Sequence, residues 1–566
     1  MSDDAARSDP LAPRVGIAIV VALAAGLAFL PALGGQFLAW DDNTTLTGNP
    51  AYRGLGPSHL GWMATTTLMG HYMPLTWLSF ALTYVLSGMN PWGYHLGSLL
   101  LHAVNAGLVT WLAWRLIGAA LGRAAAGGPD AGPSAALAVG AAVAGLAFGV
   151  HPLRAEAVAW ATDRGDVLCG TFYLAALLAY VRAVDGGGRL RWRPWGTLAL
   201  LAMTAALLSK EIAVTLPAVL LILDAYPLRR ATSWTARARE KLPFLALALV
   251  GAAVAVAARA AGARFSTPEQ YGVGSRVAMA AYSLWYFVAA SIWPSGLAPY
   301  HEPPVRVDLL APRFLVPAIA VVALTAAVVA LRRRWPAGLA SWAAYVAVLL
   351  PVSGLVHSGS HLVAERYSYL PGIALAMLLG GAAATAVRAG GGAPARRAGV
   401  AALLVVLALA LAGWAAVAWH HSASWRDTFT LWQVSVAADP ECRLCVLNLA
   451  GEHFNAGRVA EAEAWARRAI PLWPGRGTPH HRLGAALLVQ GRDAEAEREL
   501  LEAIRLAPRL GEAYRELGRL YARQGRAGEA ATALREALVL GVAPAEIEAL
   551  LRPLETGPPP APRRSP

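Results

Sequence analysis

From residue 14 to about 420 the chain alternates long apolar runs with short polar links, and beyond about 425 it turns amphipathic and charged. A helix needs about 20 apolar residues to cross a bilayer core. About eleven runs approach that length: 14–33, 94–116, 134–151, 167–184, 194–209, 212–226, 242–262, 313–331, 338–356, 367–388 and 398–419. Tryptophans stand near their ends (Trp40, Trp92, Trp111, Trp114, Trp192, Trp195), as at a membrane–water interface. The first run, Val15 to Leu33, is long for the ~7–15-residue core of a signal peptide and reads as a retained span.

Charge refines this pattern. Only 15% of the 566 residues are charged and 57% are hydrophobic, which excludes an ordinary soluble globular chain and wholesale disorder. The formal charge is +13, and lysine occurs only at Lys210 and Lys241. The basic excess lies in the apolar part, where it sets topology rather than binding nucleic acid. Its links are Arg115/Arg123, Arg182/Arg189/Arg191/Arg193, Arg229/Arg230/Arg237/Arg239/Lys241, Arg332/Arg333/Arg334 and Arg388/Arg396/Arg397. Positive-inside bias assigns all five to the cytoplasm. They can share a side only if the stretches 74–88 and 276–294 lie at the interface without crossing. The N-terminus is then cytoplasmic, and the links 34–93, 151–166, 209–211, 263–312 and 357–366 lie outside together with the C-terminal part.

The C-terminal part repeats. Gly457, Gly491 and Gly525 are 34 residues apart, as are Pro440, Pro474 and Pro508; Ala462/Ala496/Ala530 and Ala469/Ala503/Ala537 keep the same interval. With Leu483-Gly484, Leu517-Gly518 and Tyr521, this is the pattern of three tetratricopeptide repeats, paired helices that stack and present a groove to a peptide or protein. The expected organisation is all-α: a transmembrane domain over 1–424 with an exoplasmic loop at 34–93, a repeat domain over 425–554 with a capping helix at 545–554, and a loose tail over 555–566.

In so apolar a chain, ionisable residues near membrane segments are costly and tend to be functional. They concentrate in the outer links. Asp41-Asp42 follows the first span and suits a general base or a metal site. His151, Arg154 and Glu156 come next, then Asp163, Arg164 and Asp166; the arginine forks match phosphate. Lys210-Glu211 lies in the corner between two runs, and Glu365-Arg366 enters a late span. The bland alternative for each group is a helix end or local ion pair. His71, His95 and His102 read as structural histidines, whereas His357 and His361 share the link that carries Glu365. Cys442-x-x-Cys445 is a weak metal signal that also admits a local disulfide; three cysteines make no disulfide framework.

The runs Phe37-Leu38-Ala39-Trp40-Asp41-Asp42, Met73-Pro74-Leu75, Gly93-Tyr94-His95-Leu96, Leu101-His102-Ala103-Val104-Asn105, His151-Pro152-Leu153-Arg154-Ala155-Glu156-Ala157-Val158-Ala159-Trp160, Asp163-Arg164-Gly165-Asp166, Ser209-Lys210-Glu211 and Glu365-Arg366-Tyr367 follow one another in an order that resembles the transmembrane and tetratricopeptide-repeat proteins. That family is related to protein O-mannosyltransferases of the GT-C glycosyltransferase fold. The resemblance covers nearly the whole chain. It implies about eleven spans, an extracytoplasmic active site, a lipid-phosphate sugar donor, and a catalytic carboxylate at Asp41 or Asp42. The chain departs from the family in a compact 263–312 link without the Asp-Asn-Pro stretch of the animal members, and in a short repeat array.

The expected activity is transfer of a sugar from a polyprenyl-phosphate donor to a hydroxyl acceptor, a protein held by the repeats, with inversion. Asp41 or Asp42 takes the proton, Arg154, Arg164, Lys210 and Arg366 bind the leaving phosphate, and His151, Glu156, Asp163, Asp166, Glu211 and Glu365 support them. A divalent cation and a metal-free site both remain open. The alternatives are an oligosaccharide ligase or polymerase using a lipid-diphosphate glycan, and a non-catalytic membrane-anchored scaffold; the spans show no internal repeat of the transporter kind. The arginine- and alanine-rich composition points to a high-GC bacterium, hence an inner-membrane protein with a periplasmic repeat domain.

Overall fold

The computed structural model describes residues 11–122, 135–185, 187–261, 271–355, 361–390 and 394–556. Arg123, His357 and the tail from residue 557 lie outside them. Among the described residues all regular structure is helical, in two compact units, Met1–Thr428 and Phe429–Pro566.

The first unit contains α1 (Leu11–Ala28), α2 (Pro57–Thr65), α3 (Pro74–Ser87), α4 (Pro91–Leu121), α5 (Ala135–Gly149), α6 (Ala155–Ala159), α7 (Arg164–Ala183), α8 (Thr197–Leu207), α9 (Leu216–Ala225), α10 (Trp234–Ala261), α11 (Val273–Ile292), α12 (Pro312–Ala330), α13 (Pro336–Leu349), α14 (Gly372–Ala389) and α15 (Pro394–Ser422). Many of these helices start on proline, whose missing N–H costs nothing in a first turn.

Among the described residues six helical segments are long and apolar enough to cross a membrane: Pro91–Leu121, Ala161–Ala183, Trp234–Ala261, Pro312–Ala330, Gly372–Ala389 and Pro394–Trp425. The pair α5–α6, bent by 56° at His151-Pro152, makes a seventh if taken as one broken span. The chain therefore reads as a multi-pass membrane protein. The apolar runs do not map one to one onto full spans. Runs 194–209 and 212–226 form α8 and α9, of 11 and 10 residues. At 1.5 Å per residue each is about 15 Å long, half a bilayer core. Lys210, with extended backbone, interrupts them. α3 and α11 are not among the six.

Small residues bring the helices together. A Cβ at Gly140 on α5 would stand 2.7 Å from Ala384 Cβ and 2.8 Å from the Gly380 carbonyl on α14, so the two backbones nearly touch. α4, α7 and α14 run in the same direction. At their starts Arg164 donates to the Tyr94 carbonyl (2.7 Å) and Arg154 to Ser368 (3.0 Å). At their ends Arg115 pairs with Asp185 (2.5 Å) and Arg388 donates to the Leu121 carbonyl (3.2 Å). Several of the basic link residues thus gather at one end of the bundle. Between α9 and α10, Arg230 and Lys241 close on Asp224 at 3.0 and 2.6 Å, with Glu240 2.6 Å from Arg230. Arg230 and Asp224 are fully buried, so each charge is held by its partners.

The second unit begins with most of α16 (Thr428–Ala438). It continues as three helix hairpins: α17 (Arg443–Asn455) with α18 (Val459–Leu472), α19 (Gly477–Val489) with α20 (Asp493–Leu506), and α21 (Gly511–Arg523) with α22 (Ala527–Val539). α23 (Pro544–Thr556) follows and packs on α22 through Leu534, Ile547 and Leu551. Gly457, Gly491 and Gly525 close the first helix of each hairpin at φ of 72°, 75° and 74°, a conformation that side chains resist. Ala462, Ala496 and Ala530 are buried between paired helices. A disulfide joins Cys442 to Cys445 at the start of α17.

Candidate active site

The segment after α1 turns back on itself at Leu38–Asp42. Asp42 is fully buried and both of its carboxylate oxygens are engaged. Oδ2 accepts from the Leu38 N–H (2.8 Å); Oδ1 accepts from the Thr162 N–H (3.2 Å) and hydroxyl. Burial raises the Asp42 pKa to about 6, opposed by the hydrogen bonds from Thr162 and Leu38. Its neighbour Asp41 is only half-buried. The two adjacent carboxylates thus differ: Asp42 stitches the 38–42 turn to the Ala161–Asp163 turn and is fully buried, whereas Asp41 keeps part of its surface exposed.

Thr162 leads into a chain of charges. Asp163 Oδ1 accepts from Lys210 Nζ at 3.3 Å, and its Oδ2 lies 3.7 Å from Arg366 Nε. Lys210 also binds Asp166, while Arg366 binds Glu156 through its guanidinium and through its backbone N–H (2.9 Å). Glu156, Arg366, Asp163, Lys210 and Asp166 therefore form one connected group, three carboxylates around two cations. Burial opposes the Lys210 charge, but Asp163 and Asp166 outweigh it and raise its pKa above the ordinary lysine value. Lys210 keeps 20% side-chain exposure and Arg366 14%, whereas Glu156 has none.

Aromatic rings wall this group. Trp40 stacks on Trp160 with centroids 5.0 Å apart, and Trp160 on Trp425 at 5.6 Å. The Arg366 guanidinium lies 5.4 Å from the Trp160 ring centre. Tyr300 and His361 lie against Trp40 at 5.8 and 5.5 Å.

The remaining sequence candidates bond to other partners. Arg154 is buried over Phe148 (5.1 Å) and bonded to Ser368, and Arg164 holds α3 to α4 through Ser79, Thr83 and Tyr94. Neither guanidinium is presented to solvent. His151 accepts from the Leu153 N–H (3.2 Å) and contacts the Ser291 carbonyl (3.2 Å). Glu365 is buried against His421 (2.8 Å). Glu211 pairs with His71 (3.1 Å) and Arg259, beside a separate small cavity. His102 is satisfied by Tyr369 (2.9 Å) and the Gly149 carbonyl (2.8 Å).

Among the described residues no three His, Cys, Asp or Glu side chains converge as a metal-ligand set. Glu156, Asp163 and Asp166 turn to Lys210 and Arg366 instead. Thr162 and Trp425 are parts of the site that sequence reasoning missed, and His421 is the missed partner of Glu365. Thr162 had a signal in its place next to Asp163; Trp425 and His421 had none beyond lying at the end of an apolar run.

No family model matches the chain. It is 32% identical over 225 residues to "Protein O-mannosyl-transferase TMTC2" of Mus musculus, covering 38% of this chain and 24% of that protein. It is 34% identical over 165 residues to "Protein O-mannosyl-transferase Tmtc3" of Drosophila melanogaster, covering 27% and 17%. It is 31% identical over 233 residues to "Protein O-mannosyl-transferase TMTC1" of Homo sapiens, covering 38% and 24%. The matches span a quarter or less of the length of these relatives. Among solved structures, that of the APC/C hetero-tetramer Cut9-Hcn1 aligns over 91% of this chain and 92% of that chain at 14% identity, with a TM-score of 0.23 that carries no argument about fold. Over part of its length, then, this chain is similar in sequence to animal proteins named protein O-mannosyl-transferases.

Proposed function

We propose that the chain is an integral-membrane glycosyltransferase that moves one sugar, mannose by analogy with its relatives, from a polyprenyl-phosphate donor to a protein hydroxyl, with inversion. The observation that carries this reading is the Asp42–Thr162 contact, which ties the Asp41-Asp42 turn to the segment whose Asp163 joins Lys210 and Arg366. Asp41 accepts the proton of the acceptor hydroxyl as its oxygen bonds to the anomeric carbon. The bond from that carbon to the phosphate oxygen breaks, and the electron pair leaves with the lipid phosphate. Lys210 has three N–H donors and spends two on Asp163 and Asp166, leaving one for the phosphate; Arg366 offers Nη2. In this reading Asp42, Arg154 and Arg164 position the site and touch no substrate, and no step uses a metal.

By the positive-inside rule the arginine-rich end is cytoplasmic and the Asp41 end extracytoplasmic. The Cys442–Cys445 disulfide supports an oxidising compartment for the second unit, the bacterial periplasm on the compositional reading. The three hairpins are taken as tetratricopeptide repeats that hold the acceptor.

Deleting the gene in its host should remove O-linked hexose from a set of periplasmic proteins, as read by glycoproteomic mass spectrometry, and the wild-type gene should restore it. An unchanged glycoprotein profile would count against the reading. Loss of whole oligosaccharides added in one block would favour the ligase alternative.

A pH dependence follows from Asp42. Its folded pKa stands above the ordinary carboxylate value, so its contribution to stability is full at acid pH and is lost as pH rises through about 6. Activity runs the other way: ionised Asp42 beside Asp41 strengthens the base, and kcat/KM should rise with pH through about 6. Asp42→Asn should remove that limb. A limb unchanged in the variant would refute the coupling.

A further inference from the structure

An open apolar cavity of about 760 Å³ runs between α4, α7, α9, α13 and α14, away from the site described above. It exists because the facing helices carry small residues one turn apart, Ala340 and Ala344 on α13 and Gly381 and Thr385 on α14. Its lining extends along α14 from Leu370 to Ala389. At 1.5 Å per residue that is about 28 Å, close to the thickness of a hydrocarbon core.

Among its described lining residues the only charged ones are Arg229 and Arg334. Both are exposed, and both follow or precede helices at the basic end of the bundle. Arg229 is held at φ 44°, a conformation disfavoured for a residue with a Cβ. Lys210 and Arg366 do not line the cavity.

We infer that this cavity is a binding site for an anionic glycerophospholipid, with an acyl chain along α13 and α14 and the phosphate between Arg229 and Arg334. An apolar slot within a bilayer fills with hydrocarbon, and basic residues at the mouth of a slot between membrane helices select an anionic head group. An apolar length of about 28 Å with charge at one end only favours a lipid with a single head group over a protein partner. A polyprenyl phosphate would share the chemistry, but the charge arrangement puts the head group at the end opposite Asp41.

The test uses the full chain in nanodiscs of equal phosphatidylglycerol and phosphatidylcholine, with trace diazirine-tailed analogues of each lipid and peptide mapping by mass spectrometry. The phosphatidylglycerol probe should label the α13 and α14 peptides in preference to the phosphatidylcholine probe. The double variant R229Q/R334Q should cut that preference about thirtyfold, as expected for losing two arginine contacts near the membrane surface. Ala344→Phe should block labelling by both probes. If a variant does not fold by circular dichroism, competition with unlabelled lipids on the wild type reads the same preference. Equal labelling by both probes, no labelling of these peptides, a preference unchanged in the folded double variant, or polyprenyl phosphate as the lipid recovered from the slot would each overturn the inference.

Discussion

Replacing Asp41 by asparagine should lower sugar transfer by about 10²–10⁴-fold, the span attributed to a positioned general base. Membrane abundance should stay at the wild-type level, because Asp41 is half-buried and the 38–42 turn is held by its neighbour. The measurement is transfer from labelled polyprenyl-phosphate mannose to a protein acceptor, normalised to protein by immunoblot. Asp42→Asn should show the opposite balance. It removes an acceptor from the buried Leu38 and Thr162 N–H groups, and its first effect should be a loss of about 1–3 kcal/mol in stability. An Asp41→Asn protein with full transfer per molecule would remove Asp41 from the chemistry.

The second large effect is expected at Arg366. Its guanidinium is the ionic partner of Glu156, which is fully buried. Arg366→Gln leaves that carboxylate uncompensated, at a cost of about 3–5 kcal/mol, and should deplete the protein from the membrane. The double variant Glu156→Gln/Arg366→Gln removes both charges and should recover abundance. Its transfer should remain about 10²–10³-fold down, since the stabilisation of the leaving phosphate is gone. A double variant as active per molecule as the wild type would make Arg366 a folding residue only.

These two contrasts also mark where the sequence stops being legible. The 34-residue period was readable because each hairpin is a local unit, closed by its own glycine. The adjacent carboxylates were readable as a pair. Which of the two is buried was not, because that depends on Thr162, 120 positions away. The cations were singled out by scarcity, yet their partners lie 44 residues apart for Lys210 and Asp166, and 210 for Arg366 and Glu156. Arg154 was read as a phosphate ligand and Glu156 as its support, but two positions apart on a helical turn they face different ways, one toward Ser368 and the other toward Arg366. Hydropathy also read 194–209 and 212–226 as spans. It averages over a window and is blind to the non-α turns at Trp192–Gly196 and Glu211–Thr215, which leave α-helices of only 11 and 10 residues.

The file of indoles formed by Trp40, Trp160 and Trp425 gives the protein an optical gauge. Rings stacked 5.0 and 5.6 Å apart share electronic excitation, so they produce a split near-ultraviolet dichroic band distinct from the signal of isolated tryptophans. Any occupant that draws Arg366 off Trp160 or tilts Trp40 changes that band, so binding of the proposed sugar carrier can be followed on unlabelled protein.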